Sequence, residues 1–212
     1  MAIALDAVTN NSSATATSIT YSHTCTGSDR MLFVWVSSGG GDFVTGVTYA
    51  GVSMTQLGKI KQGSIAGYTY LYCLFAPSTW ANNIVCSASS STAWNTMATS
   101  YTWVNQSNTM DATATSSITS ATLNFSTNLT TTADNCWSIC YTVNDTNTFA
   151  SNSDTIRGTN AWGNIFDSNG AITPAGSKTM TQTVSGSGNG GVVMASFAPS
   201  VSPTFIPRII IS

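Results

Sequence analysis

Apolar and polar residues alternate along most of this chain, which is the pattern of strands that bury one face. Tyr68, Tyr70 and Tyr72, for example, fall on one side of an apolar run. Two runs, at 31–36 and 135–143, are apolar on both sides and predict central strands that are covered on both faces. No apolar period of 3.6 residues persists for three turns, so the pattern predicts no helix.

The alternation predicts roughly a dozen short strands separated by polar turns. They are predicted at residues 3–8, 15–24, 30–37, 44–49, 52–57, 66–75, 83–88, 96–104, 118–127, 135–143, 178–184 and 190–198. Turns are predicted at 10–14, at Ala50-Gly51 and at 185–189, because Gly, Asn and Ser favour turns. Many short antiparallel strands predict an all-β, two-sheet, jelly-roll-like β-sandwich in one domain, residues 1–199.

The chain ends in a segment of different character. Pro199, Pro203 and Pro207 interrupt it, and residues 200–212 form a linker followed by an apolar tail. The predicted assembly residues of this tail are Phe205, Ile206, Ile209, Ile210 and Ile211. We expect a C-terminal extension strand that adds to a sheet edge, either of its own domain or of a neighbouring subunit.

Charge is scarce in this protein. Charged residues make up 7% of the chain, Glu is absent, and the net charge is −2, whereas soluble domains carry about 25% charged residues. The absence of a basic patch predicts no nucleic-acid partner, and the absence of ~18 consecutive apolar residues predicts no membrane span. The first residues lack the features of a signal peptide. The polar, charge-poor surface indicates a virion or an extracellular surface.

Five motifs resemble, in order, a broad group of jelly-roll-like β-sandwich domains found in secreted bacterial surface proteins and phage virion proteins. They are GSDRMLFVWV at 27–36, VTYAGVSMT at 47–55, YLYCLFAP at 70–77, NNIV at 82–85 and GVVMASFAP at 191–199. The hairpin at 47–55 is the most specific. The resemblance implies a fold and a surface or virion setting, and no shared catalytic residues. This chain departs from the modular pattern because it stands alone and ends in its own apolar tail.

The catalytic inventory is thin. His23 is the single histidine and no G-x-S-x-G motif accompanies it, so we expect a hydrogen-bonded structural role. The eight acidic residues are all Asp and fall at turns or strand ends, where Asp side chains bond to the backbone. The Gly39–Gly41 loop lacks the Lys-Ser/Thr of a phosphate loop. These features predict a protein without enzymatic activity or cofactor.

Calcium is the one metal for which candidate ligands occur. Asp145 with Asn144 and Asn147, or Asp167 with Asn169, offer oxygen atoms, but turn capping is the better interpretation. Zinc is not predicted, because the chain has one His and no C-x-x-C.

The cysteines and aromatic residues leave alternatives open. Cys73 and Cys86 lie on consecutive predicted strands and could pair across a hairpin, although buried free thiols are the simpler interpretation. Trp80, Trp94 and Trp162 are candidate ligand-binding residues, with Trp80 and Trp94 predicted in or beside loops. Flat aromatic rings of this kind suit sugar binding, whereas the alternative is that they pack a charge-poor core.

The sequence therefore predicts a non-enzymatic structural protein of a virion or cell surface. A phage capsid-decoration or minor structural subunit is the most concrete form, with self-association or other virion and surface proteins as partners. The alternative is a carbohydrate-binding or adhesin module that uses exposed aromatic residues on a glycan.

Overall fold

The computed structural model describes residues 1–107, 109–145 and 149–201, without the side chains of residues 12–14 and 120–121. Within them the protein has strands and no helix, and two antiparallel sheets pack together, which confirms the predicted all-β sandwich. The strands are β1 Ala4–Cys25, β2 Met31–Ser38, β3 Val44–Tyr49, β4 Val52–Ser53, β5 Thr55–Lys61, β6 Tyr68–Phe75, β7 Trp80–Thr102, β8 Ala112–Thr130, β9 Trp137–Asn144, β10 Phe149–Asn152, β11 Thr155–Thr159, β12 Gly163–Asp167 and β13 Ser177–Phe197.

Four strands are far longer than the alternation predicts: β1, β7, β8 and β13 have 22, 23, 19 and 21 residues. The predicted turns at 10–14 and 185–189 are therefore wrong, because these residues lie inside β1 and β13. Each long pair instead contains a shift of register near its middle, between Ser13 and Ala16 in β1 and between Thr183 and Gly188 in β13. Small polar residues that signal a turn serve equally well where a continuous strand bends.

Each sheet is built from one half of the chain, and the two halves repeat one topology. The first sheet has the order β1-β7-β2-β6-β5, with β3 also on β7. The second has the order β8-β13-β9-β12-β11, with β10 also on β13. Strand for strand these orders are the same, and β4 alone has no counterpart. The alternation of apolar and polar residues does not reveal this repeat.

The repeat extends to irregularities in the sheets. The β5–β6 pair contains a bulge between Gln56 and Gly58, and the β11–β12 pair contains one between Ile156 and Gly158. Both glycines face the opposite half, where an added Cβ would lie 3.1 Å from Val193 at Gly58 and 3.3 Å from Met97 at Gly158. Glycine at these bulges therefore lets each edge strand approach the other half closely.

Each half also contains an aspartate that accepts hydrogen bonds from equivalent positions. We call Asp6 and Asp111 the fastening carboxylates. In the first half, the Asp6 carboxylate accepts hydrogen bonds from Thr26 and, at 2.7 Å, from Ser100 Oγ. In the second half, the Asp111 carboxylate accepts them from Thr132 Oγ1 and from Ser196 Oγ, both at 2.6 Å. The register equates Ser100 with Ser196, because each pairs with the residue that follows its aspartate, Ala7 or Ala112. In the first half, Asp6 therefore links β1 and β7 to the loop that follows β1. In the second half, Asp111 links β8 and β13 to the loop that follows β8.

The inner faces of the two halves meet in a central apolar seam. Trp35 stacks on Tyr141 at 5.4 Å between ring centroids, and Tyr101 packs on Phe197 at 5.0 Å. Trp35 and Tyr141 occupy the same position in the two halves, as do Tyr101 and Phe197. Contact between equivalent residues is the geometry of a twofold-symmetric dimer interface, here within one chain.

The outer face of each sheet is also buried, because the long strands bend back over it. Ile84 and Ala98, from the two ends of β7, belong to one buried cluster on the first sheet. Met180 and Met194 hold the corresponding positions of β13 in the cluster on the second sheet. This explains why β2 and β9 are buried along both faces, as their continuous apolar pattern predicts.

The beginning of the chain and residue 200 lie at one end of this seam. The Met1 amino group is 3.5 Å from the Ser200 carbonyl, and Val104 bridges to Pro199. The predicted assembly residues Phe205, Ile206, Ile209, Ile210 and Ile211 lie outside the described residues, so the extension strand remains a prediction.

Replacing either fastening carboxylate by its amide is expected to destabilise the fold. Asp6→Asn and Asp111→Asn should each lower the free energy of unfolding by about 1–3 kcal/mol, because a charged acceptor of several hydrogen bonds is lost. Urea denaturation measures this. The matched control is Asp29→Asn, since no described residue bonds to the Asp29 side chain and Asn tolerates its φ of 49°. A loss in Asp29→Asn equal to the other two would contradict the assignment.

A candidate ligand pocket at the seam

The structure brings two of the three predicted tryptophans together. Trp94 and Trp162 line the same cavity, whereas Trp80 lies elsewhere, opposite Cys25 in the β1–β7 pair. The prediction that Trp94 lies in or beside a loop is wrong, because it is a β7 residue and 2% exposed. Trp80 and Trp162 are 74% and 46% exposed. The predicted set is therefore divided between two places.

The cavity lies at the end of the seam remote from residue 200, and both halves form its wall. Its volume is about 220 Å³. The first half contributes the end of β2 with Gly39 and Gly40, the turn after β5, and Trp94; the second half contributes Val143, Asn144 and Trp162. Small residues and turns at this end leave the space between the sheets unfilled.

Hydrogen bonds fix the ring of Trp94 and the backbone of Trp162. Trp94 Nε1 donates to the Ala16 carbonyl at 3.0 Å, which fixes the ring across the β1–β7 pair. Trp162 lies in the turn before β12, where Asn160 Oδ1 accepts from its backbone amide at 3.2 Å and the Asn144 amide donates to its carbonyl at 3.0 Å. The backbone of Trp162 is thus anchored while half of its side chain faces solvent.

Two buried side-chain amides, those of Gln62 and Asn95, also line the cavity. Gln62 is 3% exposed, and its Nε2 lies 2.7 Å from Ser37 Oγ and 2.9 Å from the Tyr68 carbonyl. Asn95 is 4% exposed, and neither Nδ2 nor Oδ1 has a hydrogen-bond partner among the described residues. A buried amide without partners costs about 1–3 kcal/mol. Asn95 and Gln62 were not predicted, because a polar residue in a polar strand carries no signal of its burial.

None of the described residues that line the cavity is ionisable. Its apolar lining residues are Trp94, Trp162, Ile65, Ala66 and Val143, and the Trp94 side chain also packs in the buried cluster on the outer face of the first sheet. Its polar groups are amides, a hydroxyl and backbone. The arrangement can bind an uncharged molecule that has both an apolar face and hydroxyl or amide groups.

Both aspartates among the candidate calcium ligands accept hydrogen bonds from the chain, and Asn147 lies outside the described residues. Asp167 is fully buried, and its Oδ2 accepts from Arg157 Nε and from Tyr101 hydroxyl, both at 2.7 Å. Its Oδ1 accepts from the Asn169 amide at 3.0 Å, which is the predicted turn capping. Asp145 accepts from the Asn189 amide at 2.8 Å. No group of three or more potential metal ligands occurs within the described part of the chain.

The alternative of a Cys73–Cys86 disulfide is corrected by the structure, in which both thiols are free and buried. Cys73 lies in the central seam, whereas Cys86 lies in the cluster on the outer face of the first sheet. Their strands, β6 and β7, are not neighbours, because β2 lies between them. The tyrosine stripe is likewise part of a packed face, since Tyr70 and Tyr72 are buried.

His23, near the C-terminal end of β1, is 1% exposed. It belongs to a series of hydrogen-bonded side chains that runs from Thr9 through His23 and Ser100 to Asp6. Ser100 Oγ donates to Asp6, so it accepts from His23 Nε2 at 3.1 Å, while Nδ1 accepts from Thr9 Oγ1 at 2.8 Å. A neutral ring satisfies both hydrogen bonds. Burial lowers the pKa of His23 to about 4, against the opposing influence of Asp6.

Comparison with known families, with characterised proteins and with solved structures found no match to this chain. No helix among the described residues is long and apolar enough to cross a membrane.

Acidification should destabilise the protein through His23. The unfolded chain binds a proton at this site near pH 6.5, whereas the folded chain does so only near pH 4. Stability is therefore lost as the pH falls through this window, by on the order of 3 kcal/mol. Denaturant unfolding between pH 7 and pH 4 measures it. In His23→Gln, which keeps a donor and an acceptor, the loss should be smaller; parallel curves for both proteins would refute the prediction.

Proposed function

We propose that this protein is a non-enzymatic structural protein of a virion or cell surface, with a capsid-decoration or minor structural subunit as its concrete form. The observation that carries the proposal is the use of its carboxylates. Seven of the eight aspartates accept hydrogen bonds from the chain itself, and only Asp29 is not engaged in this way among the described residues. The charged groups of this protein hold strands and loops together.

The pKa shifts of two aspartates and of His23 support the same non-enzymatic interpretation. Hydrogen bonds from Lys59 and Tyr70 lower the pKa of Asp42. Burial alone would raise the pKa of Asp111, but hydrogen bonds from Ser196 and Thr132 outweigh it and leave the pKa lowered. A catalytic acid at neutral pH needs the opposite shift. His23, with a pKa near 4 and no exposure, is equally unsuited to acid–base catalysis.

Exposed apolar groups at the residue-200 end of the sandwich support assembly there. Trp80 is 74% exposed and has a left-handed φ of 70°, which is uncommon for a bulky residue. The hairpin tip lies alongside, because the Ala50 amide donates to the Asn83 carbonyl at 3.0 Å. The next strand, β4, exposes Val52 and pairs with β3 alone in the described fold. An apolar segment of a neighbouring subunit can add to such an edge.

This assembly end and the cavity are well separated. Residue Met31 of β2 lies at the end near Val104 and Pro199, whereas Ser38 pairs with Trp94 at the cavity. Eight residues of extended strand span roughly 25 Å. Changes at one end can therefore be made without disturbing the other.

Removing residues 202–212 is expected to abolish self-association. Light scattering after size-exclusion chromatography at micromolar concentrations should show oligomers for the full chain and monomers for residues 1–201. Trp80→Ser should weaken association as well. The control is Trp162→Ser, an exposed tryptophan at the other end, which should leave the size unchanged. If both the full chain and the shortened chain have the mass of a monomer, assembly through the tail is excluded.

A second candidate function is carbohydrate binding. The specific observation that favours it is that Trp94 and Trp162, which are distant in sequence and belong to different halves, line one uncharged cavity. Aromatic rings beside neutral amides are the groups that bind the apolar face and the hydroxyls of a sugar.

A further inference from the structure

We propose that the seam cavity binds a single neutral sugar ring, with Trp162 as its stacking surface and Asn95 as its hydrogen-bonding partner. This inference rests on the second candidate function and specifies its site and ligand class. Three independent observations carry it. The first is the size of the cavity, and the second is the exposed indole of Trp162 together with the buried Asn95 amide, which has no partner in the described structure. The third is the absence of charged residues from the described lining.

The size of the cavity selects a small ligand. At about 220 Å³ it is below the roughly 300–1,000 Å³ of sites that enclose drug-sized molecules. One ring of a glycan fits this description, with the rest of the glycan extending into solvent past the exposed side of Trp162. An extended oligosaccharide would need a longer groove.

Trp162 has the properties of a stacking residue. Its backbone is fixed by Asn160 and by the Asn144 amide, yet the indole is 46% exposed and so contributes little to the buried core. Covering a half-exposed indole on an anchored backbone with the C–H face of a pyranose removes apolar area from water without ordering a loop. Trp94 also lines the cavity, and its ring is fixed by its bond to the Ala16 carbonyl.

Asn95 supplies the polar contact. Its carboxamide is 4% exposed and without partners in the described structure, and it lines the cavity between the end of β2 and β1. One carbonyl acceptor and one NH₂ donor match two neighbouring hydroxyl groups of a sugar. A ligand that supplies both contacts relieves the cost of the unsatisfied amide, which a purely apolar ligand cannot do.

The lining also predicts discrimination against charge. A carboxylate or phosphate on the bound ring would lose its hydration without gaining a cationic partner, because no described lining residue is charged. Neutral hexoses and N-acetylhexosamines should therefore bind, whereas uronic acids, sialic acid and sugar phosphates should not.

The test is a titration of the full-length protein with methyl glycosides of glucose, galactose, mannose and N-acetylglucosamine, and with glucuronic and N-acetylneuraminic acids. Ligand-observed NMR and tryptophan fluorescence report binding at millimolar concentrations. At least one neutral glycoside should bind, and Trp162→Ala and Asn95→Ala should each weaken it about tenfold or more, which corresponds to one to two lost contacts. Trp80→Ala, at the other end, should bind as the wild type does.

Stability of the free variants separates a binding role from a structural one. Removing the unpartnered amide in Asn95→Ala should leave the melting temperature unchanged or raise it, because no hydrogen bond of the described fold is lost. A purely structural Asn95 would instead lower it.

Each outcome bears on a different statement. Binding that survives both Trp162→Ala and Asn95→Ala overturns this site but leaves carbohydrate binding standing. Preference for an acidic sugar overturns the ligand class. Absence of binding by every sugar overturns both this inference and the second candidate function, while the structural proposal is tested separately by the oligomeric state.

Discussion

The structure depends on one constraint. The inner face of each half-chain is apolar, and it is removed from water only when it packs against the inner face of the other half. The fully buried pairs Trp35–Tyr141 and Tyr101–Phe197 join the two halves across this seam. Because both halves share one topology, equivalent rings meet each other, as they do in a symmetric dimer. The long strands then bend over the outer faces, and three buried clusters result.

The same seam arranges the two ends of the molecule. Asp6 and Asp111 fasten equivalent strands and loops in the two halves, and the chain reaches residue 200 beside its own beginning. At the other end the halves diverge around small residues, and the cavity forms. Asn95 is buried there without a hydrogen-bond partner among the described residues, which departs from the usual satisfaction of buried polar groups. Such departures are expected where a protein binds something.

Local features were predictable from the sequence and nonlocal ones were not. The central strand Met31–Ser38 and the Ala50-Gly51 turn, with φ of 50° and 79°, follow from apolar runs and turn chemistry. Residues 10–14 and 185–189 were misassigned because the same small residues favour a turn and a bend. The cavity itself was not predicted. Two of its lining residues, Trp94 and Trp162, were named for their ring chemistry, whereas nothing in a polar strand distinguishes Asn95 from its neighbours.

By itself the sequence determined the all-β character, the doubly covered strands and the scarcity of charge, because alternation, apolar runs and composition act over neighbouring residues. Only the tertiary structure decided which strands pair, that Cys73 and Cys86 lie in separate clusters, and that Trp94 and Trp162 line one cavity. Strand pairing joins residues far apart in the chain, and the repeat is kept in its register and its fastening carboxylates rather than in a readable run of identical residues.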